Sequence, residues 1–222
     1  MADPVANLDE IRALLAHLPA PDLAAGTAAA ARQAQLTKPA GSLGRLEELA
    51  IWFATWQARH PPRLEHARTL VFAGNHGVAV RGVSAYPASV TAQMVQNFIS
   101  GGAAVNQLCR VFDAGLKVYE MDLDTPTRDI VDEPAMSEQE CAKAMAYGMM
   151  AVEPGIDLLA LGEMGIGNTT AAAALCAGLF GGAGPWWTGP GTGVSGAGLE
   201  AKRRAVEEAA ARHRPAARDP FD

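Results

Sequence analysis

Residues 162–170 read GEMGIGNTT, with three glycines in six positions and a carboxylate between the first two. Glycines there let the backbone approach a ligand closely. The AAAAL that follows is strongly helix-forming. The turn therefore opens onto a helix start whose N–H groups favour an anion, with Asn168 or Thr169 expected as its cap. The spacing GxxGxG is neither the dinucleotide pattern GxGxxG nor the nucleoside-triphosphate pattern GxxxxGK[ST]. No lysine or arginine lies in the stretch, and Glu163 would repel a phosphate. A carboxylate at this point fits a catalytic or substrate-orienting role, or that of a charge partner for the helix N-terminus.

A second glycine-rich loop, GPGTGVSGAG at 189–198, precedes another helical stretch that carries Lys202. That cation can supply the counter-charge the first loop lacks. A solvated lysine on an exposed helix face is the competing reading. A third segment, NHGVAVRGVSAYP at 75–87, holds Asn75, His76, Ser84, Tyr86 and Pro87, and Gln93 and Met94 follow on a helix. Polar tips among apolar bodies suit a flat aromatic ligand. His76 reads as a hydrogen-bonded structural residue rather than a base. Ser84 lacks the G-x-S-x-G context of a hydrolase nucleophile. Asp122 and Asp124 could meet ribose hydroxyls or magnesium, and they read more simply as a charged turn. No His, Cys, Asp and Glu set has metal-ligand spacing, so neither metal nor cofactor is expected.

These segments need a scaffold. RTLVFAG (68–74), LKVYEMDL (116–123) and IDLLALG (156–162) are apolar runs of strand length, the first reading as a strand buried on both faces. Helical stretches lie between and after them, at 89–100, 103–112, 137–151, 168–180 and 198–213. Ser137 and Glu140 have capping-box spacing. Strands alternating with helices predict a parallel α/β sheet with flanking helices, Rossmann-like, in which ligands bind beyond the carboxyl ends of the strands. Residues 7–18, 22–34 and 45–60 read as helices. Leu46, Leu49, Ile51, Trp52, Phe53 and Trp56 in the last predict a broad buried stripe. The expected organisation is a helical segment, 1–62, followed by the α/β domain, 63–222. Asp219-Pro220 reads as the N-cap and first turn of a further helix. With only three clear strands, this predicts a chain cut inside its domain at the C-terminus.

The bulk properties narrow the class. The 222 residues are 49% apolar and 19% charged, with a formal net charge of −6 and a sequence pI near 5.4. No basic footprint for nucleic acid is present. Cys109, Cys141 and Cys176 are odd in number and widely spaced, which suits a reducing compartment better than a disulfide framework. The N-terminus is acidic where a secretion signal would be basic, and the apolar runs are too short to span a membrane. A cytoplasmic protein is expected.

Several stretches together resemble one family. KPAGSLGRLEELA (38–50), FAGNHGV (72–78), GVSAYP (82–87) with VTAQM (90–94), and GEMGIGNTTAAAA (162–174) are similar to the nicotinate-nucleotide–dimethylbenzimidazole phosphoribosyltransferases of cobalamin lower-ligand synthesis. The likeness runs from about residue 36 to 204, with GPGTG in register. It implies transfer of the phosphoribosyl group of nicotinate mononucleotide to 5,6-dimethylbenzimidazole, giving α-ribazole 5′-phosphate and nicotinate. It also implies a homodimer, whose small helical domain is built from both chain ends. Gly165, Ile166, Gly167, Asn168 and Thr169 would lie at phosphate and ribose, with Gly191 and Lys202 on the phosphate. Glu163 would face the reacting centre, where a carboxylate suits a pyridinium and a developing oxocarbenium charge. Ser84, Tyr86, Pro87, Gln93 and Met94 would line the benzimidazole pocket, with Met164 near. The family's general base, a glutamate in a C-terminal glycine-rich motif, has no counterpart here. A partial member, either catalytically impaired or reduced to binding a nucleotide phosphate, is the alternative expectation. Adenine or a phenol as acceptor also stays open.

Overall fold

The computed structural model describes residues 7–216. The Asp219-Pro220 signal lies outside them.

The chain begins with three helices, α1 (Leu8–Ala16), α2 (Leu23–Gln35) and α3 (Arg45–Trp56). Asn7 and Asp22 cap the first two, each accepting a backbone N–H of the first turn; such caps satisfy donors that the helix itself cannot. α1 packs Leu8 and Ile11 onto Ala142 of a later helix, and α2 packs on α3. The broad buried stripe expected on α3 is not formed. Only Ala54 is buried, while Leu46, Leu49, Trp52 and Trp56 are exposed. α2 covers just one side of α3, the side of Ile51 and Thr55 where Gly26 approaches.

β1 (Ala67–Ala73), β2 (Gly115–Glu120) and β3 (Leu158–Met164) form one parallel sheet in the order β2-β1-β3. β1 is central, which is why its apolar run is continuous. α4 (Ser89–Ile99) and α5 (Ala104–Val111) connect β1 to β2, and α6 (Glu138–Met150) connects β2 to β3. The two connections step across the sheet in opposite directions and use opposite faces. Cys109 of α5 donates to Thr69 on one face. On the other, Tyr147 of α6 meets Tyr119 edge-on, and Tyr119 stacks on Phe72. The reversal of direction lies at β1, so the carboxyl ends of β1 and β3 flank the crevice where open α/β sheets take ligands.

The strand ends differ from expectation by a few residues, and one shift matters. β3 runs to Met164, two residues further than its apolar run, so Glu163 and Met164 are strand residues paired with Phe72 and Ala73. Ladder bonds to β1 extend the strand past the point where side-chain hydrophobicity ends. After β3 come α7 (Asn168–Phe180), a short α8 (Gly184–Trp187) that the sequence did not signal, and α9 (Gly196–His213). A 3-10 turn over Gly77–Arg81 stands in what read as loop. Among the described residues no helix is long and apolar enough to cross a membrane.

Candidate active site

Two helices made close by small residues build the centre of the site. Ala173 and Ala177 of α7 pack on Val206 and Ala210 of α9. These residues recur at four-residue spacing, so each pair forms one stripe along its helix. Alanine at the contact lets helix axes approach at the short end of the usual range. One turn earlier on the same stripes stand Thr169 and Lys202. The Lys202 ammonium donates to Thr169 Oγ1 at 2.7 Å and to the Gly189 carbonyl at 3.0 Å.

Lys202 retains only 1% exposure, so the exposed-lysine reading does not hold. Burial pushes its pKa below the ordinary 10.5, because the charged form loses hydration. Among the described residues no carboxylate pairs with it. A buried cation held by two neutral oxygens, with a third donor to spare, has the chemistry to receive an anion. Gly191 belongs to the same cluster: a Cβ there would lie 2.7 Å from Lys202 Nζ and 2.9 Å from Thr169 Oγ1.

The first glycine loop is shorter and more buried than its sequence suggests. It comprises Gly165, Ile166 and Gly167, all buried. A Cβ on Gly165 would fall 2.0 Å from the Gly74 carbonyl, so this glycine is required by the crossing of the β1 and β3 loops. The Ile166 N–H donates to the fully buried Thr91 on α4 at 3.2 Å. The cap of α7 is Gly167, with φ 91° and no side-chain bond, rather than Asn168 or Thr169. Asn168 is the first helical residue and its Oδ1 accepts the Thr169 N–H at 2.7 Å. The left-handed conformation at 167 turns the chain sharply enough to bring Asn168 into the helix, so its side chain bonds locally. Thr170 Oγ1 and Asn75 Oδ1 are buried without partners.

His76 packs beside this loop, its Cδ2 3.5 Å from where a Cβ on Gly165 would lie, and burial lowers its pKa below 6.5. Its ring makes no hydrogen bond among the described residues, so the hydrogen-bonded role expected of it is not seen. Asp122 has φ 54° and its carbonyl accepts from Thr125, so this acid forms a turn. Val78 and Val83 pack with Val131, Ala205 and Ala209, and Arg81 pairs with Asp129. Arg212 Nε and His213 Nε2 bond the carbonyls of Val131 and Ile130 at 2.6 and 2.7 Å. These contacts moor α9 to the carboxyl-end loops and aim Lys202 at α7.

Of the residues proposed for an acceptor pocket, Ser84 and Met94 are half-buried, and Tyr86, Pro87 and Gln93 are exposed. Ser84 Oγ lies 2.9 Å from Thr192 Oγ1, in the second glycine loop. Glu163, exposed, takes the same sheet face as its register partner Phe72, and half-buried Met164 takes the opposite one. Two concavities of about 500 and 540 Å3 lie instead at the amino ends of the strands. One is lined by Glu65, Arg68 and Glu153, the other by Trp52, Trp56 and Leu159, and no candidate residue reaches either. No group of three potential metal ligands exists among the described residues. Sequence reasoning missed Thr91 and Thr192. Both stand inside motifs already singled out, VTAQM and GPGTG, but a threonine announces its partner only in three dimensions.

A phosphoribosyltransferase family profile, DBI_PRT, matches residues 18–222. The chain belongs to this family. A relative from Sinorhizobium medicae (strain WSM419), named nicotinate-nucleotide–dimethylbenzimidazole phosphoribosyltransferase, is 56% identical over 214 residues, 96% of this chain and 63% of its own length. A protein of the same name from Methylocella silvestris is 54% identical over 217 residues, 98% of this chain and 64% of its own. The crystal structure of CobT from Thermus thermophilus superposes with a TM-score of 0.78 at 42% identity, over 85% of this chain and 62% of that one. The chain thus spans a little under two thirds of the length of the curated relatives it matches, and the segments built around Lys202 and Gly165 lie inside the shared part.

Proposed function

We propose that the chain transfers the phosphoribosyl group of nicotinate mononucleotide to 5,6-dimethylbenzimidazole, releasing nicotinate and forming α-ribazole 5′-phosphate. The observation that supports this reading most directly is the buried ammonium of Lys202, held by the neutral oxygens of Thr169 and Gly189 at the start of α7. A nucleotide 5′-phosphate would complete that cluster, with Gly191 close by and Asn168 and the Gly165–Gly167 turn on its ribose side. The bond from ribose C1′ to the pyridinium nitrogen breaks, and its electron pair neutralises the departing ring. The unprotonated imidazole nitrogen of the acceptor attacks C1′, and the proton on its other ring nitrogen passes to water. Positive charge gathers on C1′ in between, and the Glu163 carboxylate, at the carboxyl end of β3, suits that charge. Ser84, Tyr86, Pro87, Gln93, Met94 and Met164 would form the wall that holds the flat acceptor. The working assembly in this reading is a cytoplasmic homodimer, with residues 1–62 a helical unit beside the α/β part.

The experiment is direct. The 222-residue chain is incubated with nicotinate mononucleotide and dimethylbenzimidazole, and α-ribazole phosphate is sought by mass spectrometry beside a calorimetric titration of the nucleotide. Product formation is the expected result. Glu163→Gln should lower kcat by about 100-fold or more while leaving nucleotide affinity within a few-fold, since a carboxylate facing a developing charge acts on the transition state. Equal losses in both would remove Glu163 from that role. The absence of both product and nucleotide binding would overturn the reading.

A further inference from the structure

We propose that Thr192 is a positioning residue that ties the acceptor wall to the donor-phosphate cluster, so that filling the phosphate site tightens the acceptor site; this rests on the function proposed above. Residues 189–192 touch both parts within four positions. At one end the Gly189 carbonyl accepts from Lys202 Nζ at 3.0 Å, and Gly191 closes over Lys202 and Thr169. At the other end Thr192 Oγ1 accepts the Ala85 N–H at 3.0 Å and lies 2.9 Å from Ser84 Oγ. Ser84 Oγ in turn accepts the Tyr86 N–H at 3.2 Å. One hydroxyl from the second glycine loop thereby organises three consecutive residues of the acceptor segment.

The loop itself is a firm link. The Gly193 and Val194 N–H groups both return to the Pro190 carbonyl at 3.0 Å, and Val194 is buried. Gly198, at the start of α9, lies 3.8 Å from the Gly82 carbonyl when extended by a Cβ, so the second glycine loop and the acceptor segment run side by side. Residues 189–193 and 85–87 are otherwise exposed. Without the Thr192 hydroxyl the Ala85 N–H has only water, and Ser84 loses its orienting neighbour. An anion on Lys202 orders residues 189–191 and, through them, Thr192, so the ordering cost of the acceptor wall is met once for both ligands. Coupling between two sites is reciprocal, so either ligand favours the other.

The test uses ribose 5-phosphate as donor-side probe, because it carries phosphate and sugar without a leaving base and cannot turn over. Dimethylbenzimidazole is titrated into the 222-residue chain with and without saturating ribose 5-phosphate. The wild-type chain should bind it several-fold tighter with the sugar phosphate present. Thr192→Val should weaken the benzimidazole by about tenfold and abolish the coupling, with ribose 5-phosphate affinity held within about twofold. Thr192→Ser, which keeps the hydroxyl, should restore both. Wild-type coupling that survives in Thr192→Val overturns the inference, and so does a benzimidazole affinity that ignores the sugar phosphate in the wild type. If ribose 5-phosphate and nicotinate mononucleotide both fail to bind the wild type, the proposed function falls and this inference with it.

Discussion

At the scale of single residues, Lys202 carries the most consequence. Its ammonium is buried, hydrogen-bonded to neutral oxygens and held below its ordinary pKa of 10.5 by desolvation. The folded chain therefore gives up this proton at lower pH than the unfolded chain does. Through that window, just below the ordinary lysine value, the free protein gains stability as pH rises. On the proposed function, phosphate affinity should run the opposite way, because only the ammonium attracts the anion. Nicotinate mononucleotide titrated from neutral pH towards the ordinary lysine value should lose affinity through the same window. Lys202→Met should bind it about 10- to 100-fold more weakly at neutral pH, the worth of a charge-assisted hydrogen bond, and should lack the alkaline limb. An unchanged affinity would remove Lys202 from the anion site. Gly165 makes a different point. A Cβ 2.0 Å from the Gly74 carbonyl has nowhere to go. Gly165→Ala should cost about 2–3 kcal/mol in urea denaturation, at the upper end of what overpacking costs, because the obstacle is backbone.

At the scale of elements, α6 shows how an exposed cap can govern a buried face. Ser137 and Glu140 form the capping box, and Glu140 also takes a bond from Arg128 at 2.9 Å. The Arg128 guanidinium first, and then the Ser137 donors, lower the Glu140 carboxyl from 4.5 to about 2. The sign follows from that depression. The stabilisation is present above the unfolded value and is lost as pH falls through the folded one. Between about pH 4.5 and 2 the wild type should therefore lose a component of stability that Glu140→Gln lacks. Thermal melts across that range would show it, and identical acid profiles would deny it. The consequence reaches inward because α6 carries Tyr147 onto the sheet and Ala142 against α1. The capping box itself was plain from S-x-x-E in the sequence. That Arg128 joins it was not, since the pair stand 12 positions apart across a loop.

At the scale of the whole molecule, the sheet formed by the described residues has an open side. β3 is an edge strand in the order β2-β1-β3, and Leu161 on it is 72% exposed. Leu175, Phe180 and Trp186 are exposed on the elements that follow, as are Trp52 and Trp56 on α3. An unpaired strand edge bearing large apolar side chains is a template for association. Sedimentation of the 222-residue chain should show concentration-dependent self-association on the order of 10–100 μM, in the range where exposed edges associate. Leu161→Lys should suppress it, because a charge on an edge strand opposes pairing. A chain that stays monodisperse across that range would refute this.

Much of this molecule was legible before any coordinates. Apolar run lengths and helix caps placed the three strands and the long helices to within a few residues, because local periodicity and backbone satisfaction act over short stretches of chain. The glycine loops, Glu163 and Lys202 stood out by composition alone, and their joint spacing carried the family likeness. The extent of β3, the glycine cap of α7 and the open stripe on α3 were decided by neighbours: ladder bonds to β1, a left-handed turn at Gly167, and the lack of cover from any described element. So was the choice between an exposed and a buried Lys202, which depends on two alanine-lined helices meeting side by side. The hydroxyls of Thr91 and Thr192 are the clearest case. Their partners lie 75 and 107 residues away in the chain, and only the packing of the loops at the carboxyl end of the sheet brings them within a hydrogen bond.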